Sequence, residues 1–219
     1  MGKEIDLLGN YPKTKRNLEE RIASKTDSDR SLARQFGRDF FDGNRNHGYG
    51  GFNYSSRFWQ PVIPTFQQHW NLDKNSSVLD VGCAKGFMIH DLAELIPGVT
   101  VKGVDISEYA VAHVIDDMKP HVQVACATKL PFLDKSFDIT ISINTVHNLE
   151  REECAMALQE IERVSRKGSY ITVDAYRNQE EKKRMDAWNL TAKTILSTDD
   201  WVQFFKDVGY TGDYFWFIP

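Results

Sequence analysis

The segment Val78 to Phe87, VLDVGCAKGF, concentrates residues that could do chemistry. An apolar run ends at a turn holding Gly82, Ala84 and Gly86, and a helical pattern follows. Gly82 leaves bare backbone against which a ligand can lie, and the start of the next helix offers free N–H donors. Asp80 closes the apolar run, where a carboxylate can accept from a ligand ammonium directly or through water. A second acid, Asp105, ends the run VKGVD, 105 − 86 = 19 residues after Gly86. An acid about 20 residues beyond such a turn stands at the tip of the second strand and can accept from both hydroxyls of a ribose. Glycines placed only for packing, and a strand-end Asp that caps the next helix, are the plain alternatives. The joint spacing favours an adenosine-type ligand.

Those residues need a scaffold that brings strand ends together. Short β-branched runs fall at Val78–Val81, Val99–Asp105, Val122–Cys126, Asp138–Ile143, Tyr170–Ala175 and Tyr214–Ile218. Helical spacing lies between them. Met88, Leu92, Leu95 and Ile96 share one face. Ser107 caps a helix carrying Val111, Val114, Ile115 and Met118. Ala155, Leu158, Ile161 and Val164 precede a stop at Gly168. Ser197 caps a helix with Trp201, Phe204, Phe205 and Val208 that Gly209 closes. The alternation predicts an α/β fold with a doubly wound, mostly parallel sheet and helices on both faces. Such sheets bind ligands at the carboxyl ends of their strands.

With 219 residues, the chain is long enough for one domain and an extension. We expect a substrate-covering extension over residues 1–75 and a core over 76–219. The net charge of −4 and the isoelectric point near 5.9 argue against a dedicated nucleic-acid binder. Lys13, Lys15 and Arg16 are too few for a basic tract. Cys83, Cys126 and Cys154 are odd in number and lack a CxxC pair, so a reducing, cytoplasmic setting and no zinc site are expected. No apolar run has the length of a membrane helix, and no apolar leader core stands at the N-terminus.

Four segments in order, VLDVGCAKGF, VKGVDIS, ATKLPFLDKSFDITIS and EIERVSRKGSYITVDA, resemble the motifs of class I S-adenosylmethionine-dependent methyltransferases. The resemblance covers about Val78 to Ala175. It implies a Rossmann-like methyltransferase sheet, S-adenosylmethionine as cofactor and no metal. Asp80 and the turn of Gly82, Ala84 and Gly86 would then hold the methionine part. Asp105 would hold the ribose and Ile106 would pack on the adenine, with Cys126 and Ala127 beside it. Ile143 and Asn144 would flank the methionine and the methyl group. Three positions depart from the pattern. Ala84 replaces a usual glycine, and Cys126 a common adenine-contacting acid. Only one strand, Tyr214–Ile218, remains where the family usually ends in two, the last antiparallel. The missing strand is expected to be absent or built from residues before Ser197, and an open edge there could pair with a second copy in a homodimer. A nicotinamide-dependent oxidoreductase is opposed by the G-x-A-x-G spacing, since dinucleotide enzymes use G-x-G-x-x-G. A non-catalytic S-adenosylmethionine-binding partner subunit is opposed by the intact acids and glycines.

For the acceptor, the aromatic and glycine-rich stretch Phe40–Pro61 reads as a lid, with Gly48, Gly50 and Gly51 setting Tyr49 over a cavity. Phe58, Trp59, Val62, Ile63 and Phe66 read as a core-facing helix. His147 follows the fourth strand, where the family often places a histidine facing the acceptor, and could take its proton. His47 is a second candidate base. Asp174 and Tyr176 end the fifth strand and Trp188 follows a charged stretch; all three are expected near the acceptor. The expected activity is methyl transfer to a hydroxyl or amine of a small molecule, sugar-derived or a secondary metabolite.

Overall fold

The computed structural model describes residues 2–12, 26–48 and 53–219. Helices precede the sheet: α1 (Asp27–Ala33), α2 (Arg38–Asp42), α3 (Ser56–Trp59) and α4 (Ile63–Trp70). The alternating part then runs β1 (Ser77–Val81), α5 (Phe87–Leu95), β2 (Thr100–Asp105), α6 (Glu108–Ala112), β3 (Val122–Val124) and β4 (Phe137–Ile143). It continues through α7 (Arg151–Val164), β5 (Ser165–Tyr176), α8 (Gln179–Trp188), β6 (Leu196–Ser197), α9 (Thr198–Val208) and β7 (Asp213–Phe217). The sheet order is β3-β2-β1-β4-β5, and β5 pairs further with both β6 and β7. Every strand pair is parallel. The expected doubly wound sheet is thus present, and β1 and β4 lie side by side where the strand order reverses.

Two apolar clusters clothe the sheet. Val62, Ile63 and Phe66 join Met88, Ile89 and Leu92 against Val78, Ile139 and Ile141. Leu158, Ile161, Trp201 and Phe205 pack with Leu79, Ile171 and Val173. β4 is buried from Phe137 to Ser142, as a central strand covered on both faces must be. Leu7 belongs to the first cluster too, so residues on both sides of position 75 share one core.

Several boundaries differ from the sequence reading. The helix after Ser107 stops at Ala112, Val114 and Ile115 lie between elements, and Met118 is carried by a looser 3₁₀ turn over Asp116–His121 that contains Pro120. α7 ends at Val164 rather than at Gly168. Gly168 lies inside β5, which runs 12 residues because SRKGS continues the pairing with β4. α9 matches its expected caps: Ser197 Oγ accepts from Asp200 N at 3.1 Å, and Gly209 takes a φ of 76°.

The last strands require a correction to the open-edge expectation. β6, at Leu196–Ser197, is a short extra strand immediately before α9, and β7 runs parallel to β5. The outer edge of β7 is paired by the chain's own start. Ile5 N donates to Tyr214 O at 2.9 Å, Tyr214 N to Lys3 O at 3.1 Å, and Lys3 N to Asp213 Oδ1 at 2.9 Å. Leu7, 2% exposed, then drops into the core with its N–H on Tyr170 Oη at 3.3 Å. Deleting residues 1–8 should therefore cost at least about 2 kcal/mol from Leu7 alone and expose a strand edge prone to association. The expected readout is a lower melting temperature with increased light scattering; an unchanged melt in a monodisperse sample would contradict the role given to this segment.

Candidate functional site

The carboxyl ends of β1, β2 and β4, with the loop after β3, open into one cavity of about 530 Å³. Its floor holds nine of the ten residues expected to bind a cofactor: Asp80 in β1 with Gly82 and Ala84 after it, Asp105 ending β2 with Ile106 after it, Cys126 and Ala127 after β3, and Ile143 ending β4 with Asn144 after it count among its lining. Gly86 stands just behind, capping α5 with a φ of 79°.

The loop after β1 is held by β2. Gly82 N and Cys83 N both donate to Val104 O, at 2.8 and 3.0 Å, and Ala84 N donates to Asp105 Oδ2 at 2.8 Å. Asp105 Oδ1 accepts from Ser107 N at 2.8 Å. Burial lifts the Asp105 carboxyl above the usual range, opposed by these N–H bonds. Asp80 is different. It is 4% exposed and has no hydrogen-bond partner among the described residues. Burial pushes its carboxyl well above the ordinary carboxylate range, and the charge of Asp105 pushes it further. A buried acid that faces a cavity and pairs with no cation among the described residues is the natural seat of a cationic ligand group. Ile106 is 55% exposed at the rim, an apolar surface that a flat ring would cover. Acid, ribose-reaching acid and apolar shelf together fit the cofactor that the sequence resemblance implies.

Gly82 serves a different neighbour from the one expected. A Cβ there would strike the side chain of Thr145, on the loop after β4, so the missing side chain lets those two loops close on each other. Ala84 takes a φ of 49°, the left-handed region that disfavours an alanine. Asn144 also has a positive φ, 51°, and is tied down by Thr172, whose Oγ1 donates to Asn144 Oδ1 at 2.8 Å and accepts from Asn144 N at 2.9 Å. Cys126 Sγ lies 3.0 Å from Thr128 Oγ1.

The acceptor-side expectations fare less well. His147 is 3% exposed and does not line the cavity. Its Nδ1 accepts the Asp174 backbone N–H at 2.9 Å, and burial lowers its pKa despite the nearby Asp174 carboxylate. It is a neutral buckle between the β4 loop and β5, not a base at the cavity. Asp174 is buried beneath it, its carbonyl taking Trp201 Nε1 at 3.0 Å. Tyr176 lies under Lys182, and Trp188 packs on Phe217 with ring centroids 5.8 Å apart. None of these three lines the cavity. His47 pairs with Asp29 at 3.1 Å, again outside it. Tyr49, with Gly50 and Gly51, lies outside the described residues, as do Lys13, Lys15 and Arg16.

The wall comes instead from Phe36, Phe40, Phe41, Phe58 and Trp59, with Arg34 and Lys193 among them. The aromatic density of Phe40–Pro61 signalled part of this wall, and Phe58 and Trp59 belong to it rather than to the core alone. Lys193 carried no sequence signal. The wall is fastened to the floor. Lys85 Nζ reaches both oxygens of Asp42 at 2.6 and 2.7 Å, Tyr109 Oη donates to Asp42 at 2.8 Å, and Ser107 Oγ donates to Phe36 O. Burial would raise the Asp42 carboxyl, but the bonds from Lys85 and Tyr109 hold it below the usual range.

Two stability effects follow from the floor. Ala84→Gly should stabilise the protein by about 0.5–1 kcal/mol, because relief of the left-handed strain exceeds the extra chain entropy lost. Denaturant unfolding would show it, and a destabilised variant would refute the strain. Asp80→Asn should raise the melting temperature of the ligand-free protein. The sign follows from the raised carboxyl: below the unfolded-state pKa near 3.8 both states are protonated, and as pH rises the native state holds its proton longer and loses stability. The wild type should thus lose, as pH rises above about 4, stability that the Asn variant keeps; parallel pH–stability curves would count against this.

Comparison with known proteins agrees with this geometry. Residues 72–209 match a family model described as a methyltransferase domain, well over half of the chain. An uncharacterized protein of Haemophilus influenzae is 32% identical over 150 residues, covering 63% of this chain and 59% of its own, so the chain spans less than two thirds of that relative. A chain from the complex between the Haloferax volcanii Trm112 methyltransferase activator and the putative methyltransferase aligns with a TM-score of 0.54 at 19% identity, covering 90% of this chain and 77% of that one. A putative methyltransferase from an antibiotic biosynthesis pathway of Anabaena variabilis gives 0.52 at 23%, covering 67% and 60%. At these identities the structures speak for the fold and the family model for the family: this chain belongs to the methyltransferase-domain family, with the fold of class I S-adenosylmethionine-dependent methyltransferases.

Proposed function

We propose that the protein methylates a hydroxyl or amine of a small molecule, sugar-derived or a secondary metabolite being favoured, and that it does so in the cytoplasm. The observation that carries this reading is the cavity itself: strand-end acids on its floor and an aromatic wall from residues before 60, at a volume suited to a small ligand. The Anabaena variabilis neighbour, described as belonging to an antibiotic biosynthesis pathway, supports it. The segment 1–75 acts as the substrate-covering part and 76–219 as the catalytic core. S-adenosylmethionine would supply a methyl group already activated on a sulfonium. Asp80 would take its ammonium, Asp105 its ribose hydroxyls, and Ile106, Cys126 and Ala127 its adenine, while Ile143 and Asn144 flank the reacting end. The aromatic wall positions the acceptor and excludes water, which supplies much of the rate when no bond needs prior activation. Among the described residues the cavity lining holds no histidine. An acceptor that is nucleophilic without a strong side-chain base, a neutral amine or an acidic hydroxyl, suits it best.

Calorimetric titration with S-adenosylhomocysteine and with NAD tests the reading. S-adenosylhomocysteine should bind and NAD should not. Asp80→Asn should weaken S-adenosylhomocysteine at least tenfold, from a lost charge-assisted contact of about 1.5–3 kcal/mol, while the same substitution stabilises the free protein. Binding of NAD alone, or wild-type affinity in the Asn variant, would overturn the assignment.

A further inference from the structure

Two segments distant in sequence meet at the cavity wall, and each brings a cation. α1 ends at Ala33, and Arg34 caps it, its N–H on Arg30 O. Arg30 Nε donates to Asn189 O at 3.3 Å, which docks this helix on the loop after α8. The same loop is fixed over β4 by Lys193 N, which donates to His147 O at 2.9 Å. Arg34 and Lys193 both line the cavity. Arg34 has no ion-pair partner among the described residues. Lys193 Nζ lies 3.4 Å from Glu150, whose side chain is 65% exposed and so holds it weakly. The third lining cation, Lys85, is already engaged by Asp42. The only carboxylates lining the cavity among the described residues are the strand-end pair Asp80 and Asp105. The floor is acidic and the wall is apolar and basic.

We infer that the methyl acceptor carries an anionic group, a carboxylate or a phosphate, on an apolar planar body, and that Arg34 is the residue that selects it, with Lys193 in support. This rests on the reading that the acidic floor is taken by S-adenosylmethionine. A guanidinium presents paired donors that match two oxygens of either anion. The aromatic side chains of Phe36, Phe40 and Trp59 give the uncharged body its surface. An acid on the acceptor also suits a wall with no carboxylate of its own to repel it.

The test uses the full chain saturated with S-adenosylhomocysteine. Matched probes, 4-hydroxybenzoate against 4-hydroxybenzamide and phenyl phosphate against phenol, are titrated by ligand-observed NMR. The anionic member of at least one pair should bind fivefold or more tighter than its neutral mate, and the pair that shows it tells carboxylate from phosphate. Arg34→Gln should abolish that preference, Arg34→Lys should keep part of it, and Lys193→Gln should reduce it about twofold. Arg34 is exposed, so the variants should melt like the wild type. S-adenosylhomocysteine affinity should stay within threefold in Arg34→Gln. A larger loss would mean that Arg34 holds the cofactor's own carboxylate, which overturns the proposal while leaving the cofactor reading intact. Equal binding of both members of each pair, binding of neither, or an undiminished preference in Arg34→Gln overturns it as well. Failure of the wild type to bind S-adenosylhomocysteine would instead bring down the reading on which it rests.

Discussion

The carboxylate of Asp105 is the point at which this site is assembled. One oxygen receives the Ala84 N–H and the other the Ser107 N–H, so a single side chain pins the loop after β1 to the loop after β2. The Val104 carbonyl beside it takes two more N–H groups from the same loop. Without those bonds a backbone with Ala84 at positive φ would relax toward an easier conformation, and Asp80 would lose its fixed place over the cavity. Both acids are kept buried by this arrangement, at a cost that shows in their raised carboxyl groups. Sites that bind charged ligands commonly carry such locally unfavourable groups, compensated by the packing around them.

The same two loops anchor the wall. Lys85, one residue beyond Ala84, holds Asp42. Ser107, two residues beyond Asp105, holds the Phe36 carbonyl. Tyr109 adds a second bond to Asp42. Further out, Tyr54 Oη donates to Asp91 on α5 at 2.7 Å. The acceptor wall is therefore fastened to the cofactor floor rather than to some remote part of the sheet, and a shift in either is felt by the other. Phe36 has a φ of 49°, so the wall too contains strain where it meets the floor.

Much of this was legible in the sequence because it is local. Strand, glycine turn and helix lie within a few residues of each other, and the spacing from Gly86 to Asp105 is the length of one helix and one strand. Periodicity is blind to direction. His147 follows β4 as expected, yet its ring turns toward the Asp174 backbone, because a residue type says nothing about which neighbour claims it. SRKG reads as the tail of a helix stopped at Gly168, since its polar residues break the strand pattern; pairing with buried β4 overrides that preference. Arg34 and Lys193 were invisible for another reason. They come together only through the docking of α1 on the loop after α8, a contact between residues 30 and 189 that no window along the chain contains.

The pairing of the chain's first residues with its last strand bears on the order of assembly. Lys3 and Asp213 are 210 positions apart. Closing so long a loop costs entropy that grows as the logarithm of its length, and contacts of such separation form late. During synthesis the edge of β7 cannot be covered until that strand has itself emerged, by which time β1, β2 and β4 can already have paired. The N-terminal segment therefore acts as a clasp set after the sheet is built. It is also the first part that would open in a native-state fluctuation, which hydrogen exchange at Ile5 and Tyr214 would register as protection well below that of β4.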